Sequence, residues 1–115
     1  MASWLVTSIA FPVFVRDKGS GDIDRFESIG QLQRQLERID VESEEYDAWD
    51  CTGVPLRLQV QEPLWLAISP LGDRTQEDLR TALLSYAKRL GVDVGTTEAL
   101  DISELFARIR PGSKS

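Results

Sequence analysis

The stretch Val54-Pro55-Leu56-Arg57-Leu58-Gln59-Val60-Gln61-Glu62-Pro63-Leu64-Trp65-Leu66-Ala67-Ile68 decides how this chain folds. Its even positions are Val54, Leu56, Leu58, Val60, Glu62, Leu64, Leu66 and Ile68, and all but Glu62 are apolar. A period of two marks a half-buried strand. A two-residue turn at Glu62-Pro63 pairs residue i with i+3 and would invert that phase. The unbroken phase therefore favours one long strand bent at Pro63. A three-residue loop, Gln61-Glu62-Pro63, also keeps the phase and stands as the alternative. At about 3.3 Å per residue a straight strand of this length would reach roughly 50 Å, so the first reading requires the bend.

Working back from this strand, Glu44 to Asp50 reads as its partner. Asp50-Cys51-Thr52-Gly53 suits a type I turn with Gly53 in the left-handed region. That turn pairs Asp50 with Val54, Ala48 with Leu56 and Tyr46 with Leu58. Tyr46 and Ala48 then lie on the apolar face. Trp49 and Cys51 point to the other face, alongside Arg57, Trp65 and Ala67.

Earlier still, Phe11 to Arg16 is aromatic and β-branched, a strand. Asp17-Lys18-Gly19-Ser20-Gly21 is turn chemistry, and Asp22 to Phe26 reads as a short polar strand completing a hairpin. Ser28 with Gln31 three residues later forms a capping box. Ile29, Leu32, Leu36 and Ile39 then make one apolar stripe, which predicts a helix ending near Asp40.

Beyond the long strand, Thr75 opens a second helix with acids in its first turn. Its stripe is Leu79, Ala82, Leu83, Tyr86 and Leu90, and Gly91 follows as the expected terminator. A third helix is expected over Thr97 to Ile109, with Ile102, Leu105, Phe106 and Ile109 inward and Pro111 as its stop. The fold class is therefore α+β: a mainly antiparallel sheet of about four strands (two hairpins, one long bent strand) with three helices. One domain is expected over residues 1–110, with a flexible tail at 111–115.

Composition limits the chemistry. The 115 residues carry 42% hydrophobic and 28% charged side chains, which are globular values. There is no His, so Ser-His-Asp and Cys-His catalysis and histidine zinc sites are excluded. The single Cys51 cannot form an internal disulfide. Together with an apolar run at Trp4 to Val15 that is short, interrupted and without a preceding basic residue, this leads to an expected cytoplasmic location with no membrane span.

The formal charge of −6 is localised. Residues 17–50 hold eleven acids and four bases, whereas residues 51–115 are balanced. Such a balance disfavours nucleic acid, whose binding needs Lys and Arg against phosphate. Asp17, Asp22 and Asp24 miss the calcium-loop spacing, since positions three and five of that loop fall on Gly19 and Gly21. Gly19-Ser20-Gly21 lacks the Lys and following helix of a phosphate loop. No catalytic residue, metal site or cofactor is expected.

Two features remain. The acidic stretch 40–50, with Asp40, Glu42, Glu44, Glu45, Asp47 and Asp50, is either a solvated edge that deters aggregation or a docking surface for a basic partner. Trp49, Trp65 and Arg57 share the off-face of the hairpin and form an interface patch unless a helix or Trp4-Leu5-Val6 covers them. The expected function is a small non-enzymatic protein-binding module that uses both features, with a protein partner or a second copy as ligand. The alternatives are a small enzyme or ligand binder using carboxylates in a sheet–helix pocket, and a structural subunit of a homo-oligomer or larger assembly.

Overall fold

The computed structural model describes residues 9–61, 65–72, 76–95 and 100–109. In chain order its elements are β1 (Val13–Asp17), β2 (Ile23–Phe26), α1 (Ile29–Gln35), α2 (Arg38–Glu42), β3 (Tyr46–Trp49), β4 (Pro55–Gln61), β5 (Trp65–Pro70), α3 (Gln76–Leu90) and α4 (Ile102–Ile109). The strands form one sheet in the order β2-β1-β3-β4-β5, and every neighbouring pair is antiparallel. The α+β class is as the sequence implies, with five strands and four helices among the described residues instead of about four and three.

The extra strand comes from the stretch that decides the fold. Gln61 faces Trp65 and Leu56 faces Pro70, so the long bent strand is in fact two strands of a hairpin. Three residues, 62–64, separate them. An odd-numbered loop preserves the apolar phase across the turn, so the pattern alone could not separate a hairpin from a bent strand. Leu58 duly faces Ile68, and Val60 faces Leu66.

The extra helix comes from a break. Leu36 and Glu37 are extended, at φ −83, ψ 147 and φ −93, ψ 132. Ile39 is 65% exposed, and Val41 is the buried residue of α2. Leu36 and Val41 lie five residues apart, about 140° around a continuous helix of 3.6 residues per turn. The break brings both into one cluster with Leu32 and Leu56. Ser28 caps α1 as expected, its hydroxyl accepting from the Gln31 N–H at 3.1 Å, while Gln31 Oε1 reaches the Glu27 N–H at 2.8 Å.

The sheet lies between two apolar clusters. On one face Phe14, Ile23 and Trp49 pack with Leu79, Leu83 and Tyr86 of α3 and with Ile102, Leu105, Phe106 and Ile109 of α4. On the other, Val13, Val15, Phe26, Ala48, Leu56 and Leu66 pack with Leu32, Leu36 and Val41. Leu90, expected in the α3 stripe, is 46% exposed. The helix closes beside it, where Gly91 at φ 75 lets the Val92 N–H reach the Ala87 carbonyl at 2.9 Å. Asp101 and Glu104 cap α4 reciprocally at 2.8 and 3.0 Å, a capping box unnoticed in the sequence. The expected helix start at Thr75, the stretch 97–99, Trp4-Leu5-Val6 and the tail at 111–115 lie outside the described residues. Among the described residues, no helix is long and apolar enough to cross a membrane.

The turn from β3 to β4 follows the sequence reading. Asp50 is 7% exposed, and its Oδ1 accepts from Thr52 N–H at 2.8 Å, Thr52 Oγ1 at 2.7 Å and Val54 N–H at 3.0 Å. Gly53 has φ 94, and a Cβ there would lie 2.6 Å from the Gln76 Cα. The turn is therefore the seat of the first turn of α3. Gly53→Ala is expected to lower the unfolding free energy by about 2 kcal/mol or more, because strain and the clash add. Asp50→Ala is expected to cost about 1–3 kcal/mol through its stranded donors. Gly72→Ala, where an added Cβ meets nothing within 4 Å, should change stability by less than about 0.5 kcal/mol. Urea unfolding of the three variants provides the comparison.

Candidate functional site

β3 is shared unequally between its neighbours. Along β1 it is paired at all four of its residues, from Phe14 with Trp49 to Asp17 with Tyr46. Along β4 it is paired only at Ala48 with Leu56 and Trp49 with Pro55. The expected pairing of Tyr46 with Leu58 does not form. The Tyr46 hydroxyl turns instead toward α2, with long contacts to Asp40 Oδ2 at 3.4 Å and the Glu37 N–H at 3.5 Å. Glu44, at φ 57, leads the chain into β3 through a left-handed step.

Where the two strands part, a groove of about 860 Å³ opens. That volume falls within the range of ligand clefts, about 300–1,000 Å³. Its lining comes from both sides of the split. β1 and β3 supply Arg16, Asp47 and Trp49, β4 supplies Arg57 and Gln59, and α3 supplies Asp78, Thr81 and Ser85. Glu42 and Glu44 line it from the acidic connection, and Pro55, Leu56, Leu58, Val60 and Leu71 add apolar surface.

One cation organises the β1–β3 wall. Arg16 Nη2 lies 2.6 Å and Nε 3.2 Å from Asp47 Oδ2, and the guanidinium carbon lies 5.4 Å from the centre of the Trp49 ring. Lys18 approaches the other Asp47 oxygen at 3.9 Å. Asp47 is thus neutralised within the wall, and Trp49 is covered by a cation on one side. Arg57, Glu42, Glu44 and Asp78 form no ion pair with any described residue. Both signs of charge are therefore available around the groove.

The residues singled out in the sequence divide between this groove and other places. Trp49, Arg57, Glu42, Glu44 and Asp47 line it; Trp65, Asp40 and Glu45 do not. The two tryptophans do not form one exposed patch. Trp49 is 7% exposed and packed with Phe14 beneath α3 and α4. Trp65 enters β5 at φ 55, which breaks the strand alternation, and packs half-buried against the cluster on the opposite face. The α3 residues were missed in the sequence. Asp78, Thr81 and Ser85, spaced three and four apart, form a polar stripe on one helix face, and that spacing was the signal available.

The aspartates of the first hairpin are engaged elsewhere. Asp17 Oδ1 accepts from the Gly19 N–H at 2.8 Å, and Asp22 pairs with Arg89 at 2.7 Å. Among the described residues no three His, Cys, Asp or Glu side chains converge as a metal site.

The fold raises two titratable groups, Tyr46 in the groove lining and Cys51 in the turn between β3 and β4. Burial pushes the Cys51 thiol up, with the Asp50 charge adding to the effect. Burial also raises the Tyr46 phenol, opposed by its contact with the Glu37 backbone and assisted by Asp40 and Asp17. At neutral pH both groups are protonated in the folded and the unfolded chain alike, and the fold disfavours only their ionised forms. The unfolded chain releases these protons first as pH rises, and stability falls with it. The unfolding midpoint is expected to drop progressively above about pH 8.5 for the thiol and above about pH 10 for the phenol. Calorimetry across that range on Cys51→Ser should show the first decline removed, and on Tyr46→Phe the second. Identical profiles in all three proteins would contradict the assignment.

Compared with known protein families, with curated proteins and with solved structures, the chain matches none of them.

Proposed function

We propose that this chain is a non-enzymatic binding module that receives a segment of a protein partner in the groove between β3, β4 and α3. The observation that carries the reading is the convergence of Trp49, Arg57, Glu42, Glu44 and Asp47 on that one groove. All five fall between positions 42 and 57, on α2, on the step that leads into β3, on β3 and on β4.

The chemistry of the walls supports recognition rather than reaction. The groove is a partly open cleft, wide enough to admit an extended segment. Burial and the Asp50 charge raise the Cys51 thiol, which disfavours the thiolate. Charges of both signs at the rim that form no ion pair with a described residue steer and orient a partner, and the apolar surface of Pro55, Leu58, Val60 and Leu71 offers area to bury. The matching segment carries basic side chains toward Glu42 and Glu44 and a carboxylate toward Arg57. A lone free cysteine fits a cytoplasmic setting for such a module.

Capture from native lysate by tagged protein tests this reading. Arg57→Glu and the double variant Glu42→Lys with Glu44→Lys are expected to lose the same captured protein without change in thermal midpoint. Glu45→Lys, in the acidic stretch but outside the groove, is expected to retain it. Retention by both groove variants, or equal loss with Glu45→Lys, overturns the proposal.

A further inference from the structure

The two edges of the sheet are built differently. β2 is four residues long, and Asp24 and Arg25 occupy its middle. The outer edge is β5, Trp65-Leu66-Ala67-Ile68-Ser69-Pro70, six residues without a charge. Among the described residues no strand pairs with its outer side. Sheet edges of this kind are the ones that recruit another strand, and charge on an edge is the usual deterrent.

The register shows which backbone groups are free. The Leu71 N–H donates to the Pro55 carbonyl at 2.8 Å, so Leu71 and Pro55 form a hydrogen-bonded pair. Such pairs recur every second residue in an antiparallel ladder. Ser69, Ala67 and Trp65 therefore face inward to Arg57, Gln59 and Gln61. The N–H and carbonyl groups of Leu66 and Ile68 face outward. Pro70 is the third outward position, where a missing N–H costs the β4 ladder nothing.

We infer that β5 pairs antiparallel with β5 of a second copy, about a two-fold axis at Ala67. In that register Leu66 faces Ile68 of the second copy and Ile68 faces its Leu66, each pair exchanging two backbone hydrogen bonds. Ala67 meets its own image in the close non-hydrogen-bonded pair, where a small side chain suits the approach. Each apolar row then runs unbroken over four strands: Val60, Leu66, then Ile68 and Leu58 of the second copy, with its symmetry mate beside it. Within one chain Leu66 is 2% exposed, but Leu58, Val60 and Ile68 are only half-buried. The pairing continues their cluster across the axis. It also brings two acidic chains together along a strip that sets no like charges opposite each other, since Gln59 flanks Ala67 on the polar face.

Light scattering behind size exclusion tests this on the full chain. The wild type is expected at twice 12.9 kDa when concentrated and to dissociate on dilution. Ala67→Glu places two carboxylates face to face at the axis and is expected to be monomeric with its thermal transition retained. Ile68→Pro removes an outward donor without touching the β4 ladder and is expected to be monomeric too. Asp24→Lys on the β2 edge, and the Glu42/Glu44 charge reversal in the groove, should remain dimeric. Amide exchange should show Leu66 and Ile68 protected in the wild type and open in Ala67→Glu. A monomeric wild type, or a dimer surviving both edge variants, overturns the inference. Protection of Leu66 and Ile68 only when a different protein is bound would assign the edge to that protein and overturn self-pairing.

Discussion

The Asp50 carboxylate, out of water and bonded to three donors of its own turn, is the constraint on which the rest of the structure depends. It fixes where β3 ends and β4 begins, and it holds Gly53 in a conformation that few other residues tolerate. Gly53 in turn admits the first residue of α3 at a distance that excludes any side chain. One turn thereby sets the register of the central hairpin and the origin of the helix that roofs it. The helix C-terminus is tied independently, by the Arg89–Asp22 pair to the first hairpin, so α3 is held at both ends to different parts of the sheet.

The groove follows from the same arrangement. β3 has two sides and more pairing with one neighbour than with the other. Having zipped fully to β1, it keeps β4 only at the turn. α2 packs against β4 on the far side, with Val41 joining Leu56 in one cluster. The parted strands leave polar positions of β4 and α3 facing each other without a layer between them. The opening is therefore a product of the fold's connectivity and does not need a specialised loop.

Much of the fold was legible in the residues. The turn at Asp50–Gly53, the pairing of Ala48 with Leu56, the cap at Ser28 and the inward residues of α4 all follow from local chemistry, and local chemistry is what sequence patterns record. The errors share a different character. A bent strand and a hairpin with an odd loop give the same alternation, so the β4–β5 boundary could not be read from phase. The break at Leu36 arises because Val41 is needed in a core shared with β4, a tertiary demand that the stripe through Ile39 does not express. The site was half legible. Charge localisation pointed to Glu42, Glu44 and Asp47, and strand parity to Trp49 and Arg57. What parity could not give was the cover over Trp49, the left-handed step at Trp65, or the arrival of Asp78, Thr81 and Ser85 from a helix far along the chain.

The strand order has a consequence for how such a chain assembles. Three of the four ladders join strands adjacent in sequence, and hairpins of that kind close within about 1–10 μs. The ladder between β1 and β3 alone reaches across α1 and α2, from Phe14 to Trp49. The sheet is thus two meanders, β1–β2 and β3–β4–β5, joined along one seam. Within the sheet, loop-closure entropy concentrates there, since among the ladders of the described residues only that one brings together residues some thirty positions apart. The Phe14–Trp49 contact and the Arg16–Asp47 clamp lie on the seam itself. The residues that wall one side of the groove are also those that fasten the two halves of the chain, so substitutions there act on the speed of folding as well as on the surface they present.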